Sequence, residues 1–328
     1  MADAPPYQSL TPERILDAIE TCGYRCDGRL FALNSYENRV YQVWLEDGAA
    51  LVAKFYRPAR WSDDAIREEH RFALELAERE IPVVAPLAVD GRTMHEHAGF
   101  RFALYPRRGG RSPELEDLET LRRLGRFIGR IHAVGAAAVF RHRPALDVDS
   151  FGVEPSQFVR DSGFVPDDLI ETYCSVVDDV LVRVTRCYER AGAVRAIRLH
   201  GDCHAGNILW TDDGPHFVDL DDARMGPAVQ DLWMSLTGDR AGMEAQFAAL
   251  AAGYREFMDF NAAELWLIEA LRTLRIIHHA GWLARRWDDP AFPVSFPYFN
   301  TQRYWQDHIL ALREQAAVLD EAPLQYAA

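Results

Sequence analysis

A chain of 328 residues, 48% hydrophobic and 26% charged, has the make-up of an ordinary globular protein and the length for two domains. Its formal net charge of -14 argues against general binding to nucleic acid or to an anionic membrane, both of which reward a basic face, although a nucleotide ligand needs only a few local cations. Five cysteines (Cys22, Cys26, Cys174, Cys187, Cys203) fit no disulfide framework, and residues 1–6 lack the basic and apolar parts of a secretory signal, so a cytoplasmic monomer with reduced thiols is expected.

Thr11-Pro12-Glu13 is a capped helix start, and Ile15, Leu16 and Ile19 recur at helical spacing, which predicts a helix over residues 11–20. Residues 30–33 and 39–45 read as strands around the polar link 34–38. Glu46-Asp47-Gly48 signals a hairpin turn, and the strand 51–56 follows it. Residues 63–80 are predicted as a charged helix that carries the apolar residues Ile66, Phe72, Leu74 and Leu76. Short strands are predicted near 83–89 and 100–105, ending in Pro106-Arg107-Arg108-Gly109-Gly110.

Helical patterns then dominate, over residues 115–138, 167–191, 241–260, 262–287 and 303–319, broken by one strand-rich island at 198–218. Strands cluster instead of alternating with helices, which makes the fold class α+β. Two lobes are expected: residues 1–107 as a small antiparallel-sheet lobe with the hinge, and residues 108–328 as a larger helical lobe. No run approaches the roughly 18 apolar residues of a membrane span.

Of the 36 basic side chains, 35 are arginine, and the single lysine is Lys54 in Leu51-Val52-Ala53-Lys54-Phe55-Tyr56. Lysine is a compact ammonium on a flexible stem, where arginine is a planar fork. About 150 residues later stands His200-Gly201-Asp202-Cys203-His204-Ala205-Gly206-Asn207, with Asp219-Leu220-Asp221-Asp222 a short strand further on. Singly, an Asp in a turn or an Asn beside it is a turn former or a cap. Jointly, the spacing His-x-Asp-x-x-x-x-Asn followed by Asp resembles the catalytic and metal loops of the protein-kinase-like fold. Gly201 and His204 resemble its aminoglycoside phosphotransferase and choline kinase branch. Together with Asn34-Ser35-Tyr36-Glu37-Asn38-Arg39-Val40-Tyr41 and Trp287-Asp288-Asp289-Pro290-Ala291-Phe292-Pro293, these segments resemble the bacterial stress response kinase family over nearly the whole chain.

Phosphoryl transfer needs positioning and electrostatic stabilisation more than covalent help. Asp202 is the candidate to take the proton of an incoming hydroxyl, with Asp219 the second acidic member of the catalytic set. Asn207 and Asp219 supply hard oxygen ligands for Mg2+. Lys54 would hold the α- and β-phosphates of ATP, and the helix pattern of the resembling family, with Phe72 and Leu76 three and seven positions on, implies Glu69 as its helix partner. Glu68 is the neighbouring candidate, but successive helix residues point about 100° apart, so only one of the two can face the ammonium.

The resemblance assigns Ser35 to ATP contact, in a loop that lacks G-x-G-x-x-G, and residues 104–106 to a hinge whose backbone would meet adenine. Asp221 is open to a second-metal or supporting role, Asp231 reads as structural, and His200 as a brace of the loop. His200, Cys203 and His204 lack the partners of a zinc site. The aromatic residues Trp282, Trp287, Phe292, Phe296, Tyr298, Phe299, Tyr304 and Trp305 are either an acceptor groove or helical core, and Arg285-Arg286 either an anion site or a solvated face.

The expected activity is ATP- and Mg2+-dependent phosphoryl transfer to a hydroxyl. The resemblance implies Ser or Thr of proteins in a stress response. His204 occupies the position where such kinases carry lysine, and Gly226-Pro227 stands where an Ala-Pro-Glu anchor would, so a small hydroxyl-bearing metabolite (choline-, homoserine- or aminoglycoside-like) is the alternative acceptor. A nucleotide-binding pseudokinase is the third reading.

Overall fold

The computed structural model describes residues 5–326. In chain order the elements are α1 (Pro12–Glu20), β1 (Cys26–Ala32), β2 (Arg39–Leu45), β3 (Ala50–Phe55), α2 (Asp63–Glu78), β4 (His95–His97), β5 (Phe100–Pro106), α3 (Leu118–Gly135), α4 (Glu154–Asp161), α5 (Ile170–Ala191), β6 (Ile197–Leu199), β7 (Ile208–Thr211), β8 (Gly214–Phe217), β9 (Arg224–Gly226), α6 (Val229–Trp233), α7 (Arg240–Tyr254), α8 (Ile268–Arg285), α9 (Ala291–Ser295) and α10 (Gln302–Val318). Contacts divide the chain into two compact units. The first comprises Met1–Pro113, Phe140–Arg143 and His204–Ala223, and the second Glu114–Val139, Pro144–Cys203 and Arg224–Ala328.

The first unit is built on an antiparallel sheet in the order β1-β2-β3-β5-β4. Alternation along β3 sends Leu51, Ala53 and Phe55 into a core with Phe100, Phe102, Leu104 and the Ile15 and Ile19 side of α1. The opposite face therefore carries Val52 and Lys54. Thr11 caps α1 by accepting the Arg14 N–H, with Pro12 in the first turn. Ser62 caps α2 in the same way through the Ala65 N–H, and Asp63 and Asp64 complement the helix dipole there.

The strand expected over residues 83–89 is not formed. Pro82 and Pro86 withhold ladder donors, so only isolated contacts remain: Val83 bridges Phe217, and Val89 bridges Arg92. The fifth strand is instead His95–His97, a polar run with no apolar alternation to announce it. β1 begins earlier than expected because its register slips between Cys26 and Leu30, a bulge that carries Gly28 at φ +90°.

The second unit is helical. The helix expected over 262–287 starts as a 3-10 segment, Ala262–Leu267, before α8. Sequence reading missed α4, whose Pro155 sits in its first turn, and α9. Helices α3 and α7 approach to backbone contact: a Cβ on Gly125 would collide with the Leu250 carbonyl, and one on Gly253 with the Arg122 carbonyl. No helix among the described residues is long and apolar enough to cross a membrane.

Candidate active site

The first unit gathers residues more than 160 positions apart around Lys54. The lysine is 5% exposed; its Nζ donates to Asp219 Oδ1 at 2.7 Å and lies 3.3 Å from Asp221 Oδ1. Burial works against the charge, but the two carboxylates outweigh it and hold the ammonium well above the ordinary lysine range. Asp219 adopts the left-handed conformation, φ 60° and ψ 65°, one that Asp tolerates better than most residues, and leads into the 3-10 turn Leu220–Asp222.

That acidic turn is held by two arginines and an asparagine. Arg60 donates to Asp221 Oδ2 through Nη1 and to Asp222 Oδ1 through Nη2, the latter at 2.9 Å. Buried Arg143 donates to the carbonyls of Asp221 and Ala223, and to that of Ala65 in α2 at 3.0 Å. Asn38 donates to Asp221 Oδ2 at 3.2 Å and accepts the Arg57 N–H at 3.1 Å. Burial alone would raise the Asp221 carboxyl; Arg60 and Lys54 reverse this and hold it at about 2. Asn38 thereby ties the end of the loop at residues 34–38 to the acidic turn.

Lys54, Asp219, Asn207, Glu69 and Ser35 line one cavity of about 470 Å3. Its apolar walls come from Val40, Val52, Ala73, Val84, Leu209 and Val218, a volume and lining suited to a small ligand. Tyr105 and Pro106 of the expected hinge also reach it. Leu104 does not; its side chain is buried in the core with Ala53 and Phe102, and its carbonyl accepts the Leu87 N–H at 2.7 Å.

Glu68 and Glu69, adjacent on α2, face different partners, as the helical angle requires. Glu68 turns to the backbone N–H groups of Arg141 and His142. Glu69 lines the cavity, and burial pushes its carboxyl up to about 7 against the pull of Lys54. An ion pair from Lys54 to Glu69 is not formed; Asp219 and Asp221 take the ammonium instead. Glu69 Oε2 and Asp221 Oδ1 are buried without a hydrogen-bond partner.

Asn207 and Asp219 are the residues that would hold a divalent cation. One amide oxygen and one carboxylate suit Mg2+, which dehydrates reluctantly and is commonly bound by one or two carboxylates with phosphate and water completing the shell. Among the described residues no cluster of three or more His, Cys, Asp or Glu is arranged to hold a metal.

The second unit carries Asp202. Asp231 accepts the N–H groups of His200 at 2.8 Å and Gly201 at 2.9 Å, and His132 Nε2 lies 3.0 Å from the same carboxylate. Gln230 donates to the Gly201 carbonyl at 3.0 Å, and Gly201 sits at φ +86°, a conformation that glycine permits. The backbone leading into Asp202 is therefore pinned. Asp202 Oδ1 accepts from Arg275 Nη1 at 2.6 Å. Cys203 is fully buried, which pushes its thiol well up and away from reactivity. Phe292, Phe299 and Trp305 of the aromatic run are buried in the helical core, whereas Tyr298 is half-exposed. Arg285 lies over the Phe158 ring at 5.2 Å.

Glu264 closes the start of α6, the helix that carries Asp231, by accepting the Val229 N–H at 2.9 Å. Burial raises its carboxyl from the ordinary 4.5 to about 7. The folded state then holds the proton more tightly than the unfolded chain, so this contribution to stability is full below about 4.5 and lost as pH rises to about 7. Glu264→Gln should flatten that decline, recovering at most about 3 kcal/mol at neutral pH, as read from thermal unfolding at pH 5 and pH 8.

Arg60, Asn38, Arg143 and Arg275 were not legible as site residues in the sequence. Tyr105 was placed only through its backbone, yet its hydroxyl lies 3.0 Å from that of Tyr56, which bonds His70 Nε2 at 2.6 Å.

The α+β kinase-like fold and a family match place the chain among the phosphotransferases. The sequence profile of the phosphotransferase enzyme family (APH) matches residues 30–266. The chain belongs to that family and, within it, to the stress response kinase A group. It is 47% identical over 319 residues to stress response kinase A of Escherichia coli K12, covering 97% of this chain and 96% of that protein. Identity and coverage of this chain are the same for the serine/threonine protein kinase RdoA of Salmonella typhimurium LT2. Among solved structures, amicoumacin kinase hAmiN in complex with AMP-PNP, Ca2+ and Ami shares the fold with a TM-score of 0.73 at 17% identity over 95% of each chain. A microcompartment-associated aminopropanol kinase gives 0.70 at 16%, covering 93% of this chain and 96% of the other.

Proposed function

We propose that this phosphotransferase moves the γ-phosphoryl group of ATP, with Mg2+, to Ser or Thr hydroxyls of proteins in a bacterial stress response. The observation that carries the reading is the Lys54–Asp219 pair at 2.7 Å in a cavity shared with Asn207, Glu69 and Ser35. The protein acceptor rests on the names of relatives 47% identical along nearly the full chain.

In this reading residues 1–107 bind the nucleotide and residues 108–328 bring the catalytic and metal loops. Lys54 moves from Asp219 to the α- and β-phosphates, Ser35 contacts them from the loop above, and Glu69 supports the lysine from α2. Asp202 takes the proton of the acceptor hydroxyl as its oxygen bonds to the γ-phosphorus and the bond to the ADP oxygen breaks. Mg2+, when bound by Asn207 and Asp219, neutralises developing phosphate charge.

A small-molecule acceptor is the second reading, favoured by the fold's likeness to kinases named for amicoumacin and aminopropanol. Purified protein, labelled ATP and Mg2+ should label Ser/Thr protein acceptors in preference to a panel of hydroxyl metabolites. Label confined to metabolites overturns the protein acceptor, and no transfer at all leaves a nucleotide-binding scaffold.

A further inference from the structure

Arg275 is unexplained by the chemistry above. It projects from α8, and its side chain is 42% exposed while that of Asp202 is 22% exposed. Among the described residues its one hydrogen bond is the 2.6 Å contact from Nη1 to Asp202 Oδ1. A partly exposed pair with a single N–H···O bond adds little to stability. The neighbouring arginine on the helix, Arg272, is otherwise engaged, with Glu269 at 3.3 Å and the Trp233 ring at 5.2 Å. Among the described residues Arg275 has no carboxylate partner other than the candidate base.

A guanidinium carries five N–H donors in a planar fork that matches carboxylate or phosphate, and one contact leaves the other nitrogens available. Any hydroxyl that reaches Asp202 arrives beside this fixed positive charge. An anionic group a few bonds from that hydroxyl is attracted to Arg275, whereas an ammonium at the same distance is repelled.

Resting on the proposed function, we infer that Arg275 is a specificity-determining residue that selects acceptors whose hydroxyl lies next to an acidic group, an Asp- or Glu-flanked Ser or Thr in a protein. The inference names the acceptor class, which the nucleotide pocket leaves open.

The test uses the full-length protein with ATP and Mg2+ and three serine peptides flanked by Glu, Ala or Lys, alongside a small hydroxy acid and a small amino alcohol. Wild type should use the Glu peptide with a kcat/KM about 10-fold or more above the Lys peptide, chiefly through KM. Arg275→Glu should reverse that order, with Arg275→Lys intermediate and the KM for ATP little changed. Preference for the hydroxy acid over every peptide would keep the anion selection and move the acceptor from protein to metabolite. Equal use of the three peptides by wild type, an unreversed order in Arg275→Glu, or a uniform fall in kcat for all acceptors overturns the inference. Thermal unfolding of each variant checks its folding, and the wild-type panel stands without them. Failure of wild type to label any acceptor while still binding ATP overturns the proposed function itself, and shows before any variant is made.

Discussion

Asp202→Ala should lower phosphoryl transfer by about 10²-fold or more while nucleotide binding is largely kept. The carboxylate sits on a backbone held by Asp231 through the His200 and Gly201 N–H groups, so its removal deletes a proton acceptor without releasing the loop. The cavity that holds Lys54, Asn207 and Asp219 belongs to the other unit and keeps its lining. Nucleotide affinity by calorimetry and initial rates with saturating acceptor separate the two effects. Equal turnover in variant and wild type would discredit Asp202 as the base.

Asp221→Ala should strongly destabilise the first unit. Its carboxylate is buried, pairs with Arg60, lies 3.3 Å from Lys54 and accepts from Asn38. Breaking a buried pair by removing one partner typically costs about 3–5 kcal/mol, because the remaining charge stays out of water uncompensated. Asp219 still faces Lys54 and Asp222 still faces Arg60, so the lower end of that range is expected. Asp27→Ala, which removes the exposed partner of Arg29, should change stability little and serves as the comparison. Urea unfolding at neutral pH reads both. A loss at Asp221 no larger than at Asp27 would show that the arginines and the lysine find solvent or other partners once it is gone.

The difference between Asp219 and Asp221 marks how far the sequence could be read. The spacing from Asp202 to Asn207 to Asp219, with one lysine among 35 arginines, resembles the kinase-like fold, and that resemblance anticipates Lys54 and Asp219 in a common pocket. A helix turns 100° per residue, so Glu68 and Glu69 must face different partners, and they do; which of them faces the pocket was indicated only by the resemblance. Nothing local distinguishes Arg60 or Asn38. Their bonds to Asp221 span 161 and 183 positions, and an arginine near the start of a helix reads as a solvated side chain until the fold closes on it. Arg275 is hidden for the same reason, 73 positions from Asp202. The missed strand has a different cause: apolar spacing across Val83, Val84, Leu87 and Val89 mimics a strand, while the prolines at 82 and 86 remove the donors one would need.

The discontinuity of the first unit has a bearing on how the chain matures. The counter-charges for Lys54 are supplied by residues 219 and 221, so the nascent sheet cannot bury its only ammonium favourably until some 165 further residues have been translated. At about 5–20 residues per second this is a delay on the order of ten seconds or longer. Until then Lys54 lacks the two carboxylates that neutralise it in the folded unit.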